Sequence, residues 1–177
     1  ERRRPLNRLL RQLRLKHEDF DLAEVDDLGG VALNDDWTRR HIDAVLALDL
    51  VDVPAVRDAK LRVVVDAVNS VGGLCVPMLL EAMGVEVVRL HCTPDGRFPH
   101  DPEPLPEHLK DLTVAVVEHK AHLGIAVDPD VDRLALVCED GSLFGEEYTL
   151  VACADHVLAY RPGDTVSNLS STRALDD

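Results

Sequence analysis

Aromatic residues make up only 3% of this 177-residue chain, with one Trp, two Tyr and three Phe, so a core must be assembled from Val, Leu and Ala. No run approaches the roughly 20 apolar residues that span a bilayer as a helix, and no charged-then-apolar segment with a small-residue cleavage site opens the sequence. The expectation is a cytoplasmic protein with no membrane partner. The four cysteines, Cys75, Cys92, Cys138 and Cys153, lie far apart without a Cys-x-x-Cys pair, which argues against a zinc framework or disulfides and for buried thiols. Gly-x-Gly-x-x-Gly is missing as well, and with it the fingerprint of a dinucleotide-binding fold.

Positive charge is scarce. The formal net charge is −14, which argues against a nucleic-acid partner for the body of the chain. Seven of the 19 cations fall within residues 1–16 beside a single acid, leaving 12 cations against 32 acids, and only four of all the cations are lysines. In that basic segment Leu6, Leu9, Leu10 and Leu13 recur at helical spacing among Arg3, Arg4, Arg8, Arg11 and Arg14. It reads as an amphipathic helix left from a preceding domain rather than a nucleic-acid or membrane arm, because acids from Glu18 to Asp27 can neutralise it.

Asn34 or Asp35 can cap a helix through about Leu50, with Asp36 in its first turn and Ile42, Val45, Leu46 and Asp49 along one face; Pro54 restarts the chain in a short turn. From Leu61 the pattern becomes alternating strands and helices. Leu61 to Asp66 reads as a strand, Gly72-Gly73 as the start of a helix stopped at Gly84, and Val85 to Leu90 as a second strand. The stretch from His91 to Pro106 carries five prolines and reads as a loop that Phe98 could pin to the core. Its His91, Cys92 and His100 lack a fourth ligand and a recognised spacing, and are not read as a metal site. Pro106 can open a helix with Leu109, Leu112, Val116 and Val117 inward, ending near His122. Leu123 to Val127 and Leu134 to Cys138 read as strands joined too tightly for a parallel crossover, hence antiparallel. Glu146 to Tyr160 is the last helix, with Leu150, Val151, Ala154, Val157 and Leu158 apolar, and Thr165 to Leu169 would start another domain. The fold class expected is a three-layer α/β/α domain with a mostly parallel sheet and one antiparallel edge strand. Ligands of such sheets gather at the carboxyl ends of the parallel strands, where the Asn69 to Gly73 turn, with its glycines and helix N-terminus, could also receive an anion.

The connection between the last two strands carries the chemistry. In Asp128-Pro129-Asp130-Val131-Asp132-Arg133, three carboxylates alternate and can turn toward one point. Held that close they repel by several kcal/mol at an effective dielectric of about 20, and a hard divalent cation, Mg²⁺ or Ca²⁺, compensates them. Glu139 falls at the twelfth position of an EF-hand loop, but the sixth holds Arg133 where that loop needs glycine, and the flanks are strands.

This loop resembles the Asp-Gly-Asp-x-Asp-Arg metal loop of the α-D-phosphohexomutases, the family of phosphoglucomutase, phosphomannomutase and phosphoglucosamine mutase. Residues 63–73 and 94–99 are similar to stretches of that family's second domain, and Asn168 to Leu175 to the opening of its third. The resemblance implies residues 1–58 as the helical remnant of a first domain, 59–162 as the metal-binding domain and 163–177 as the start of a third. It also implies Asp128, Asp130 and Asp132 as Mg²⁺ ligands, Arg133 as a catalytic donor to a phosphoryl group, and a hexose phosphate as substrate. The activity implied is an isomerase's intramolecular phosphotransfer between the 1- and 6-hydroxyls through a phosphoserine. No Thr-Ala-Ser-His-Asn-Pro-like motif occurs in the chain, which is therefore expected to be a fragment, inactive alone. Pro129 and Val131 replace residues usually small in the family. From another class, a non-catalytic Ca²⁺- or Mg²⁺-binding interaction domain satisfies the same residues.

A chain this acidic and lysine-poor should be stabilised by screening. Urea midpoints are expected to rise with added KCl, and a flat dependence would show that self-repulsion does not limit stability.

Overall fold

The computed structural model describes residues 24–168 and 172–175. The basic segment at Leu6 to Leu13 and its arginines therefore lie outside the described residues, as do Glu18, Leu169, Ser170 and Ser171. The chain divides into two compact units, Glu1–Asp35 and Asp36–Asp177. Described residues of the first hold a single 3-10 turn at Val25–Asp27. The second carries the sheet.

Its elements are α1 (Trp37–Leu46), α2 (Val53–Asp58), β1 (Arg62–Asp66), α3 (Gly72–Ala82), β2 (Glu86–Leu90), α4 (Lys110–Glu118), β3 (Leu123–Val127), β4 (Leu134–Cys138) and α5 (Glu146–Tyr160). The sheet runs β2-β1-β3-β4, with β1 parallel to both β2 and β3, and β3 antiparallel to β4. Three consecutive valines in β1 explain its central place. Val64 packs on one face with Leu109, Leu112 and Val116, while Val63 and Val65 pack on the other among Val76, Leu80 and Met83. A strand buried on both faces reads as an unbroken apolar run, and right-handed crossovers leaving β1 and β2 in opposite directions put α3 and α4 on opposite faces. The α/β class and the single antiparallel pair match the expectation.

Several elements differ from it. α1 begins only at Trp37, with Asp36 at its N-cap making no side-chain cap bond. It ends at Leu46 rather than Leu50 because Leu48 and Val51 donate to Val45 and Leu48, three residues back, tightening the exit into turns. Pro54 lies in α2, not a turn: Asp52 accepts the Ala55 N–H at 2.9 Å, and Pro54 stands where a helix has no use for an N–H. α4 is entered through a 3-10 turn at Pro106–His108 and stops at Glu118. Val117 is 52% exposed, and so are Leu150 and Val157 of α5 beyond a third of their surface. Residues 165–168 form no strand. Cys75, Cys92 and Cys138 are half-buried, but Cys153 is exposed. Among the described residues no helix is long and apolar enough to cross a membrane.

Phe98 does not pin the loop after β2, being 45% exposed. Asn69 does so instead. Its side chain accepts the Thr93 N–H at 3.1 Å and donates to the Arg97 carbonyl at 3.0 Å, while its backbone N–H donates to His91 and its carbonyl accepts from Gly96. Beyond β4 the chain doubles back: Cys138 donates to the Ser142 carbonyl, Phe144 donates to Leu136, and Val137 bridges Leu143.

A Cβ on Gly73 would stand 2.5 Å from the Cys92 carbonyl oxygen, a backbone atom that cannot step aside. Gly73→Ala is therefore expected to cost about 2–3 kcal/mol in urea unfolding, whereas Gly163→Ala, with nothing within 4 Å, should stay within about 0.5 kcal/mol.

Candidate metal centre

Parallel pairing brings the carboxyl ends of β1, β2 and β3 onto one rim, and two side-chain groups with metal-ligand character sit there: Asp128, Asp130 and Asp132, and Asp66, His91 and His100. Four of the non-glycine residues with left-handed backbone, Val68, Asn69, His91 and Val131, lie on the same rim. Strain gathered at one end of a sheet is a mark of a site whose geometry is fixed by its surroundings.

Asp128 follows the last residue of β3 and is 7% exposed. One of its oxygens, Oδ1, accepts the N–H groups of Asp132 at 3.0 Å and Arg133 at 3.1 Å, and its carbonyl accepts from Val131. The loop is thus wound around this carboxylate, which brings a ligand oxygen from each of the three aspartates within 4.8 Å of the others. Asp130 and Asp132 are exposed. Winding the turn this tightly puts Val131 at φ 61°, a conformation that disfavours a β-branched residue by about 1–2 kcal/mol. Gly72 explains part of the fit. A Cβ there would lie 2.7 Å from Val127 Cγ2 and 3.3 Å from Val131 Cγ2, so α3 can approach the loop only with glycine at this place.

Electrostatics mark the centre as short of positive charge. A hydrogen bond shared with the Asp128 carboxylate, then the charges of Asp130 and Asp128, raise the Asp132 carboxyl above its ordinary value, with Arg133 offsetting only part. An all-oxygen donor set with surplus negative charge and open access fits a hard divalent cation. Arg133 is half-exposed and makes its closest pair with Glu103, whose hydrogen bond holds the guanidinium still more firmly in its charged form. Its Nε lies 4.0 Å from Asp128 Oδ2 and 3.9 Å from Asp132 Oδ1. Glu103 went unseen in the sequence, and the Pro-rich loop around it offered no periodicity from which to place it.

The second group is not the His91, Cys92 and His100 set weighed from sequence. Cys92 turns away to donate to the carbonyls of Val65 and Leu90, and burial pushes its thiol up to about 11. Asp66, the last residue of β1, takes its place.

The raised Asp132 carboxyl means that the folded chain holds that proton more tightly than the unfolded chain. Protonation of Asp132 therefore favours folding, and this contribution is lost as pH rises through the raised pKa. Carboxyl NMR should find Asp132 titrating above Asp140, whose carboxylate the Ser142 hydroxyl and amide hold below the ordinary value. Added Mg²⁺ should pull the Asp132 midpoint down, and a midpoint indifferent to Mg²⁺ would make the loop a solvated acidic turn.

Residues 39–141 match the model of the phosphoglucomutase/phosphomannomutase α/β/α domain II. The chain is 35% identical over 162 residues to a phosphoglucomutase/phosphomannomutase of Thermococcus kodakarensis, covering 90% of this chain and 35% of that protein. It is 42% identical over 119 residues to a phosphomannomutase/phosphoglucomutase of Pseudomonas putida, covering 66% of this chain and 26% of that protein. The X-ray structure of a phosphoglucomutase/phosphomannomutase family protein from Burkholderia thailandensis superposes with a TM-score of 0.60 at 33% identity, over 71% of this chain and 27% of that one. This chain thus spans about a third or less of the length of these relatives. With the domain model covering more than half of its residues, the chain belongs to the phosphoglucomutase/phosphomannomutase family.

Proposed function

We propose that this chain is the metal-binding portion of a phosphohexomutase that interconverts hexose 1-phosphates and 6-phosphates by Mg²⁺-dependent phosphoryl transfer, using a phosphoserine supplied from outside these residues. The observation that carries the reading is the convergence of Asp128, Asp130 and Asp132 at the carboxyl end of β3, within the stretch that matches the family's second domain. On this reading residues 59–162 form the metal-binding domain, between the end of a first and the start of a third.

Bound Mg²⁺ would offset charge on the transferring phosphoryl group. The chain's own part is positioning. Asp128 is held by the two backbone N–H groups on Oδ1, and exposed Asp130 and Asp132 bring their oxygens within 4.8 Å of it and of each other. Water and the serine phosphate oxygen would complete the coordination. Glu103 accepts from one terminal nitrogen of Arg133, leaving the remaining donors of the guanidinium fork for phosphoryl oxygens.

In the full-length protein that contains this chain, Asp130→Asn is expected to lower kcat for hexose phosphate interconversion by about 100-fold or more, on the order of 3 kcal/mol of transition-state stabilisation. The 177-residue chain alone should give no turnover on glucose 1-phosphate or mannose 1-phosphate. A full-length Asp130→Asn protein with undiminished kcat, or turnover by the isolated chain that Asp130→Ala abolishes, would overturn the assignment.

A further inference from the structure

Asp66 is 1% exposed, and among the described residues no lysine or arginine pairs with it. One of its oxygens, Oδ1, accepts the Val68 N–H at 3.0 Å. The other, Oδ2, is met by two imidazoles: His91 Nδ1 at 3.1 Å and His100 Nε2 at 3.1 Å. The two rings stand edge to face with centroids 5.5 Å apart. A buried carboxylate requires compensation, and among the described residues it comes here from the Val68 N–H and from these two histidines.

The outer nitrogen of His100 decides what lies between. Its Nδ1 is 2.7 Å from the Asp101 carbonyl oxygen, which can only accept, so Nδ1 carries a hydrogen. In the neutral ring Nε2 then bears a lone pair aimed at a carboxylate oxygen, so the contact needs a cation between them, either a second proton on the ring or a metal ion. Histidines that bind metal through one nitrogen characteristically donate the other N–H to a backbone carbonyl or carboxylate. His91 repeats the pattern more loosely, with its Nε2 4.0 Å from Asp111 Oδ2. The spacing fits too. Four-coordinate zinc with bonds of about 2.0–2.1 Å holds its ligand atoms about 3.3 Å apart, and the two N···O separations here are 3.1 Å.

We infer that Asp66, His91 and His100 form a second metal site, selective for Zn²⁺ or a similar first-row transition ion and separate in chemistry from the aspartate loop. Two imidazoles and one carboxylate suit such an ion, whereas the all-oxygen loop suits Mg²⁺. The rings keep 20% and 17% of their side-chain surface exposed, which gives the ion an entry path and water a fourth position. The ligands come from the end of β1, the residue after β2 and the Pro-rich loop, so the ion clamps that loop to the sheet. The same loop delivers Glu103 to Arg133, and the clamp therefore fixes one partner of the aspartate centre without touching it.

The test uses the untagged 177-residue chain with Zn²⁺ in calorimetry and thermal melts, and with Co²⁺ in visible absorption. One equivalent of Zn²⁺ should bind and raise the melting temperature, excess Mg²⁺ should not displace it, and Co²⁺ should give the intense d–d bands of a four-coordinate site. Because Asp66→Asn could fail to fold, His91→Gln and His100→Gln carry the decision, each weakening Zn²⁺ binding by at least about 100-fold, beyond the loss of an outer partner. Asp130→Asn should leave it unchanged. Zn²⁺ affinity and Co²⁺ spectra that survive both histidine changes would assign the metal to other surface histidines, and no stoichiometric binding at all would reduce the trio to a hydrogen-bonded cluster; either result overturns the site.

Discussion

Parallel pairing of β1 with both of its neighbours is the constraint on which the rest depends. A parallel strand needs a crossover on each side, so the chain must supply α3 and α4 and bury β1 between them. Val63, Val64 and Val65 satisfy both faces at once. The same pairing leaves three strand ends pointing one way, and the residues that follow them, Ala67, His91 and Asp128, begin the loops of a single rim. Carboxylates at two of those strand ends, Asp66 and Asp128, are buried by the fold rather than by local sequence preference.

The two carboxylates meet different ends. Asp128 spends one oxygen on backbone N–H groups four and five residues ahead, organising its own loop. Asp66 anchors its own turn through Val68 and then reaches partners 25 and 34 residues away. A short-range organiser tolerates an open, solvent-facing centre; a long-range one holds separate segments together.

That difference also sets how much could be read from the sequence. The aspartate loop was legible because its alternation and both flanking strands are local, and Leu123–Val127, Leu134–Cys138 and Glu146–Tyr160 have the limits that periodicity gives. Asp66 was not legible as a histidine partner, since only the sheet register brings β1 and β2 ends together. Phe98 was misread because aromaticity suggested burial, whereas Asn69 supplies four hydrogen bonds to the same loop. The helix at Val53–Asp58 could have been found: Asp52 and Pro54 are a capping signal read instead as a break. Val131 in a left-handed conformation is a cost imposed by Asp128's demand for two N–H donors, invisible until the loop is wound.

The doubling back of residues 138–144 along β4 has a bearing on assembly. A sheet of four strands has two borders at which a foreign strand could add. On the β4 border, Leu136 and Cys138 already have backbone partners in Phe144 and Ser142. The β2 border is five residues long and carries exposed Glu86 and Arg89, the short, charged kind that resists strand addition. Among the described residues, both borders of the sheet are therefore poor templates for an added strand, which leaves the side chains of its layers and rim as the surfaces this unit offers.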